Sequence, residues 1–84
     1  MEFLNLFSKS LKDKGERDCF DKYLSPHVPM IYKSAIRMCG NPNNAQDLVQ
    51  ETLYSALKNF HQIHDPKKSK YWMFSILRNI FLKD

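Results

Sequence analysis

Between residues 45 and 60 the chain carries Ala45, Leu48, Val49, Thr52, Leu53, Ala56 and Phe60 at the i, i+3, i+4, i+7 spacing of one helix face. A stripe of that kind is stable only when other apolar surface covers it, so the remainder of the chain has to fold against this helix. With two glycines and few β-branched runs, the cover is expected to be helical. Eighty-four residues sustain one domain at most. The expected fold is therefore all-α: a single domain over residues 1–84, a compact bundle of three main helices with a short N-terminal helical segment. On the other side of the striped helix lie Asp47, Gln50, Glu51, Tyr54 and Lys58. That face is either a docking surface for a large partner or a solvated helix face.

Punctuation divides the rest. Residues 1–11 hold Phe3, Leu4, Leu6, Phe7 and Leu11 at mixed spacing, a short amphipathic piece with Gly15 at its exit, able to take a positive φ. A first helical region spans 16–40, with Cys19, Phe20, Tyr23 and Leu24 on one face and Met30, Ile31, Ala35, Ile36 and Met38 on the next apolar side. Pro26 and Pro29 exclude an undisturbed helix there, because an interior proline costs about 3 kcal/mol. Either Ser25 caps a new helix with Pro26 at its first position, or one helix continues through a kink. Gly40 ends that region and Asn43 or Asn44 caps the helix at 44–60. Residues 61–70 lack a helical period and contain Pro66, which predicts a loop. Helix resumes over 71–84 with Met73, Ile76, Leu77 and Ile80 inward.

Charge follows these divisions. Residues 41–57 carry −2, from Asp47 and Glu51, and residues 58–84 carry +4. Lys58, Lys67, Lys68, Lys70, Arg78 and Lys83 are interleaved there with Tyr71, Trp72, Phe74 and Phe81. Cations that neutralise phosphates beside aromatics that stack bases suit single-stranded nucleic acid; a basic solubilising surface is the plainer reading.

Other classes fit poorly. No apolar stretch reaches the ~20 residues of a bilayer span, and the N-terminal run has neither a basic lead-in nor a small-residue cleavage site. Cys19 and Cys39 are far apart, which points to buried, reduced thiols and a cytoplasmic setting. His61 and His64, with His27 and the two cysteines, make no convincing zinc set. With neither a glycine-rich phosphate loop nor a nucleophile–base pair, the chain is read as non-enzymatic and without a cofactor or metal.

The order of Ile31, Tyr32, Ala35, Arg37, Gly40 and Asn41, then Ala45, Asp47, Leu48, Val49, Gln50, Glu51 and Thr52, then Trp72, Phe74, Ile76, Arg78 and Asn79 resembles domain 2 of bacterial sigma factors. It is most similar to the compact extracytoplasmic-function (ECF) group, over roughly residues 20–84. The resemblance implies a part in transcription initiation. Asp47, Gln50, Glu51 and Tyr54 would dock on the clamp coiled coil in the largest subunit of core RNA polymerase, through charge-assisted hydrogen bonds. The loop at 61–70 and the helix at 71–84 would open the promoter and read the non-template strand of its minus-ten element. A flipped base would enter a pocket in that loop. The DNA-binding residues it implies are His61, His64, Lys67, Lys68, Lys70, Trp72, Arg78 and Asn79, with Asn79 reading a base edge and Trp72 stacking, wedging or simply packing in the core. An anti-sigma factor would cover the polymerase-facing surface.

Two departures mark the chain. Ser69 stands where the family commonly has an aromatic, three residues before the tryptophan, and Pro26 and Pro29 interrupt the family's first long helix. A sigma factor of this group also carries a C-terminal helix-turn-helix domain, so the 84 residues are expected to be a fragment of a longer protein. The competing expectation is a helical protein–protein interaction module without specific DNA recognition.

Overall fold

A computed structural model describes residue 7 and residues 9–83, and no strand occurs among the described residues. Most of the N-terminal amphipathic segment expected at 1–11 lies outside them. Phe7, Lys9 and Ser10 are helical, and Phe7 and Leu11 are buried. The chain then forms α1 (Lys14–Cys19), a π-helical turn (Phe20–Leu24), a 3-10 turn (Ser25–His27), α2 (Val28–Cys39), α3 (Pro42–Lys58), two further 3-10 turns (Phe60–Gln62 and Pro66–Lys68) and α4 (Ser69–Lys83).

Asp13 begins α1, its Oδ1 accepting the Gly15 amide at 2.7 Å and the Glu16 amide at 3.4 Å. Gly15 therefore sits in the first turn of a helix; the expectation that it forms an exit is corrected, and Gly40 is the positive-φ glycine of the described chain. The prolines act next. Pro26 cannot donate to the Lys22 carbonyl and Pro29 cannot donate to the Ser25 carbonyl, so the α-helical ladder fails at both positions. The backbone responds with a wide turn followed by a tight one. The Ser25 amide reaches back to the Phe20 carbonyl, and the Val28 amide takes the Ser25 carbonyl. Ser25 keeps right-handed helical angles and makes no side-chain cap, so a fresh helix capped by Ser25 is overturned in favour of the kinked continuation. Pro29 falls in the first turn of α2, and the Ser25 carbonyl that its amide would have reached accepts the Val28 amide instead.

At the α2–α3 junction Gly40 takes φ 69°, and Asn41 is extended at φ −150°. The side chain of Asn41 accepts the amides of Asn43 (2.7 Å) and Asn44 (3.3 Å), with Pro42 in the first helical position. The cap thus lies at Asn41, two or three residues ahead of the predicted Asn43 or Asn44. A proline forces its predecessor into the extended region, and that is the geometry of a capping residue. α3 stops at Lys58, and Phe60 opens a 3-10 turn of its own. Residues 61–70 are correspondingly more ordered than a loop. Asp65 Oδ1 accepts the Lys67 amide at 3.0 Å to begin the turn Pro66–Lys68, and α4 starts at Ser69, ahead of the predicted Tyr71.

α3 packs on α2 along one side and on α4 along the other. Its stripe of Ala45, Leu48, Val49, Thr52, Leu53 and Ala56 is buried between them. α2 supplies Val28, Ile31 and Ala35, and α4 supplies Met73 and Leu77, all fully buried. Val28 was missing from the predicted core, and Met30, which was in it, is 45% exposed. The inward line of Leu24, Val28, Ile31 and Ala35 runs at helical spacing, and Met30 is about 100° off it. Thr52, buried, satisfies its hydroxyl on the Leu48 carbonyl at 2.8 Å. Both cysteines are free, but they are half-buried where buried ones were expected. Burial, and then the neighbouring Glu16 carboxylate, pushes the Cys19 thiol pKa up.

Candidate functional site

Two surfaces flank this core. The first is the outer face of α3. Burying the apolar stripe turns Asp47, Glu51 and Tyr54 to solvent and leaves Gln50 half-buried. Neither carboxylate makes an ion pair or side-chain hydrogen bond among the described residues. Two unpaired acceptors one helical turn apart, with an amide between them, form a ready site for cationic and amide donors. Tyr54 is 53% exposed and partly covered, because Phe7 meets its ring edge-on at 4.7 Å.

The fold adds residues to this face that sequence spacing did not indicate. The C-terminal end of α4 arrives beside the start of α3, leaving an open groove of about 610 Å³. Met38 and Cys39 of α2, Leu48 of α3, and Phe81 and Leu82 of α4 line it, with Asn44, Asp47 and Glu51 around them. Leu82 is 67% exposed. The signal in the sequence was the apolar pair Phe81 and Leu82 continuing beyond the inward positions of α4.

The second surface joins the 3-10 turns to α4. A shallower cavity of about 420 Å³ is lined by Gln62, Ile63, His64, Asp65, Lys68, Tyr71, Trp72 and Ser75. Of the residues expected on DNA, it brings together His64, Lys68 and Trp72. Arg78 and Asn79, both exposed, lie outside it on α4: Asn79 shares a stripe with Trp72 and Ser75, and Arg78 falls on the adjacent line with Tyr71 and Ser75. From Trp72 to Asn79 the stripe rises ~10 Å. His61 and Lys67 are exposed on the 3-10 turns away from the cavity lining, and the Lys70 ammonium lies 5.6 Å from the Tyr71 ring centroid.

The cavity has an aromatic wall with a reason to stand where it does. Trp72 is half-buried, edge-on to Phe60 at 5.9 Å, and Phe60 in turn stacks on Tyr23 at 5.4 Å. Part of the indole therefore packs against Phe60, as the core-packing alternative expects, and part lines the cavity. Tyr71, beside it, is 70% exposed. Ser69, in the place of the family's aromatic, is fully buried and donates its hydroxyl to the Pro66 carbonyl. It ties the turn Pro66–Lys68 to the start of α4. Asp65, Gln62, Ile63, Tyr71 and Ser75 were absent from the predicted set; only the turn at Pro66–Lys68 brings them to one cavity. No group of three or more His, Cys, Asp or Glu able to hold a metal ion occurs among the described residues, and no described helix is long and apolar enough to cross a membrane.

Comparison with known proteins agrees with the motif. Residues 24–84 match the family model for sigma-70 region 2. The ECF RNA polymerase sigma factor EcfG of Rhodopseudomonas palustris is 44% identical over 57 residues, covering 68% of this chain and 32% of that protein. SigE of Mycolicibacterium smegmatis is 30% identical over 70 residues (83% of this chain, 27% of its own). SigW of Bacillus subtilis is 30% identical over 67 residues (80% of this chain, 36% of its own). The chain spans about a third of the length of these relatives. No solved structure matches it.

Proposed function

The chain belongs to the sigma-70 region 2 family, in its ECF branch, and from that premise we propose that it serves transcription initiation by docking on the clamp of core RNA polymerase and holding the minus-ten promoter element as single-stranded DNA. The observation that carries this reading is the unpaired acidic face of α3, set on the same small core as an aromatic-walled cavity whose turn and helix also carry Lys67, Lys70 and Arg78. One surface suits a protein partner with cationic side chains, the other an unstacked polyanion.

Asp47 and Glu51 accept charge-assisted hydrogen bonds from the clamp, Gln50 supplies both a donor and an acceptor between them, and Tyr54 adds aromatic area at the edge. On the other surface Trp72 and Tyr71 stack bases, and Lys67, Lys68, Lys70 and Arg78 neutralise phosphates. Asn79 reads a base edge further along α4, and His61 and His64 line the approach. Unstacking a base costs a few kcal/mol, which stacking on the aromatic wall offsets. Neither role requires bond-making chemistry, a cofactor or a metal. An anti-sigma factor would act by covering Asp47, Gln50 and Glu51, and the setting is the cytoplasm. The 84 residues supply the region 2 part of this role.

Capture of bacterial core RNA polymerase on immobilised protein tests the docking face. Wild type should retain polymerase, and Gln50→Ala/Glu51→Ala should lose it with helicity unchanged by circular dichroism. Failure of folded wild type to capture polymerase would favour the alternative of a helical interaction module with another partner.

A further inference from the structure

A carboxylate in the middle of a phosphate-binding surface needs a reason. Asp65 sits among Lys67, Lys68 and Lys70, where it lowers the attraction for a polyanion. Its Oδ1 holds the Lys67 amide at 3.0 Å, and that is the one side-chain hydrogen bond it makes among the described residues. Asn or Ser would begin the turn as well without the charge. Capping accounts for one oxygen, and the charge suits the N-terminal end of a turn that leads into α4; the free second oxygen is what remains to be explained.

The position of Asp65 supplies the explanation. It lines the same cavity as Trp72, Tyr71 and Lys68. At about 420 Å³ the cavity lies near the small end of the usual range for ligand clefts, roughly 300–1,000 Å³. A base stacked on the aromatic wall would present its Watson–Crick edge to the polar residues around it. A carboxylate only accepts hydrogen bonds, so it suits a base whose edge offers an amino group. Cytosine, adenine and guanine each carry one. Thymine and uracil place a carbonyl oxygen where the amino group would be, and their one ring donor, N3–H, is flanked by two carbonyl oxygens, so a carboxylate that approaches it also meets acceptors. Because Oδ1 is already engaged, the free oxygen suits a single amino donor, and the Lys68 ammonium can serve an acceptor on the same base.

Resting on the strand-binding reading above, we propose that Asp65 is the specificity-determining residue of this cavity, selecting a flipped base that carries an exocyclic amino group and rejecting thymine. The charge that weakens phosphate attraction is the means of selection.

Oligo-dC and oligo-dU of equal length make the direct probe, since their bases differ only in an amino group against a carbonyl and the ring proton that accompanies it. Binding is measured by fluorescence anisotropy at about pH 8, where cytosine is unprotonated, with oligo-dA and oligo-dT as a second pair. Wild type should favour dC over dU by ~10-fold, within the reach of one specific base contact. Asp65→Asn keeps an oxygen for the Lys67 amide while adding a donor for thymine or uracil, so the ratio should fall to within about twofold. Overall strand affinity should rise with the loss of the negative charge. Salt-dependent binding without a dC preference overturns the inference and leaves the strand-binding reading standing, as does a preference that Asp65→Asn preserves. Absence of strand binding by folded wild type overturns both.

Discussion

Gly40 takes φ 69°, and a Cβ built on it would meet nothing within 4 Å. Its requirement is therefore purely conformational: left-handed backbone at the C-terminus of α2, with the Gly40 amide returning to the Ile36 carbonyl at 2.7 Å. Gly40→Ala should destabilise the domain by about 1 kcal/mol, and Gly40→Asn by less, because asparagine tolerates this region better. Urea unfolding of the three proteins reads the difference directly. Equal midpoints for Ala and Gly would show that α2 ends without the left-handed turn. This residue was legible in the sequence, since Gly40 precedes Asn41 and Pro42 and no other reading accommodates all three. Gly15 was not. Its role depends on Asp13 Oδ1, which occupies the first-turn amides and lies 3.2 Å from where a Cβ would be. Two glycines of one sequence thus serve opposite ends of helices.

Helix α4 is where the sequence pattern and the folded element part company most usefully. Its inward residues, Met73 and Leu77, were legible because burial follows the 3.6-residue period. The cavity residues were legible only in part, because their meeting depends on a turn at Pro66–Lys68 that has no period to detect. Asp65-Pro66 is a capping signal of the same kind as Asn41-Pro42, and the two together show that residue–proline pairs were the cue to weight more heavily. Along the exposed side of α4, position separates two tasks. Arg78 offers a fixed positive charge and Asn79 an amide that can pair with a base edge. Arg78→Ala should reduce the slope of log affinity against log salt by ~0.7, the value for one phosphate contact on a single strand, with base preference intact. Asn79→Ala should leave the slope alone and flatten preference at one base position. Anisotropy titrations on a set of strands at several salt concentrations separate the two, and a shared phenotype would dissolve the division of labour.

Both surfaces are held by one core, and that core is small. The described chain has a radius of gyration of 12.0 Å, close to the ~12 Å of a compact chain of this length. α3 presents acid on its outer side while its stripe packs on α2 and α4, and α4 presents Tyr71, Arg78 and Asn79 outward while Met73 and Leu77 pack inward. Loss of the core should therefore remove the proposed polymerase docking and strand binding together, whereas a surface change should remove one. Two leucines of α4 make the comparison on identical chemistry. Leu77 is fully buried and Leu82 is 67% exposed. Leu77→Ala should cost ~2–5 kcal/mol, a large share of the roughly 5–15 kcal/mol available to a natural domain. Polymerase capture, strand binding and cooperative unfolding should all decline in step. Leu82→Ala should change stability by less than about 0.5 kcal/mol and leave strand binding intact. It should weaken polymerase capture severalfold, because Leu82 lines the groove shared with Asp47 and Glu51. Unchanged capture by Leu82→Ala would confine the docking surface to the outer face of α3. A parallel loss of strand binding would instead mean that the end of α4 stabilises the whole bundle, and the groove would then be part of the fold and not of the interface.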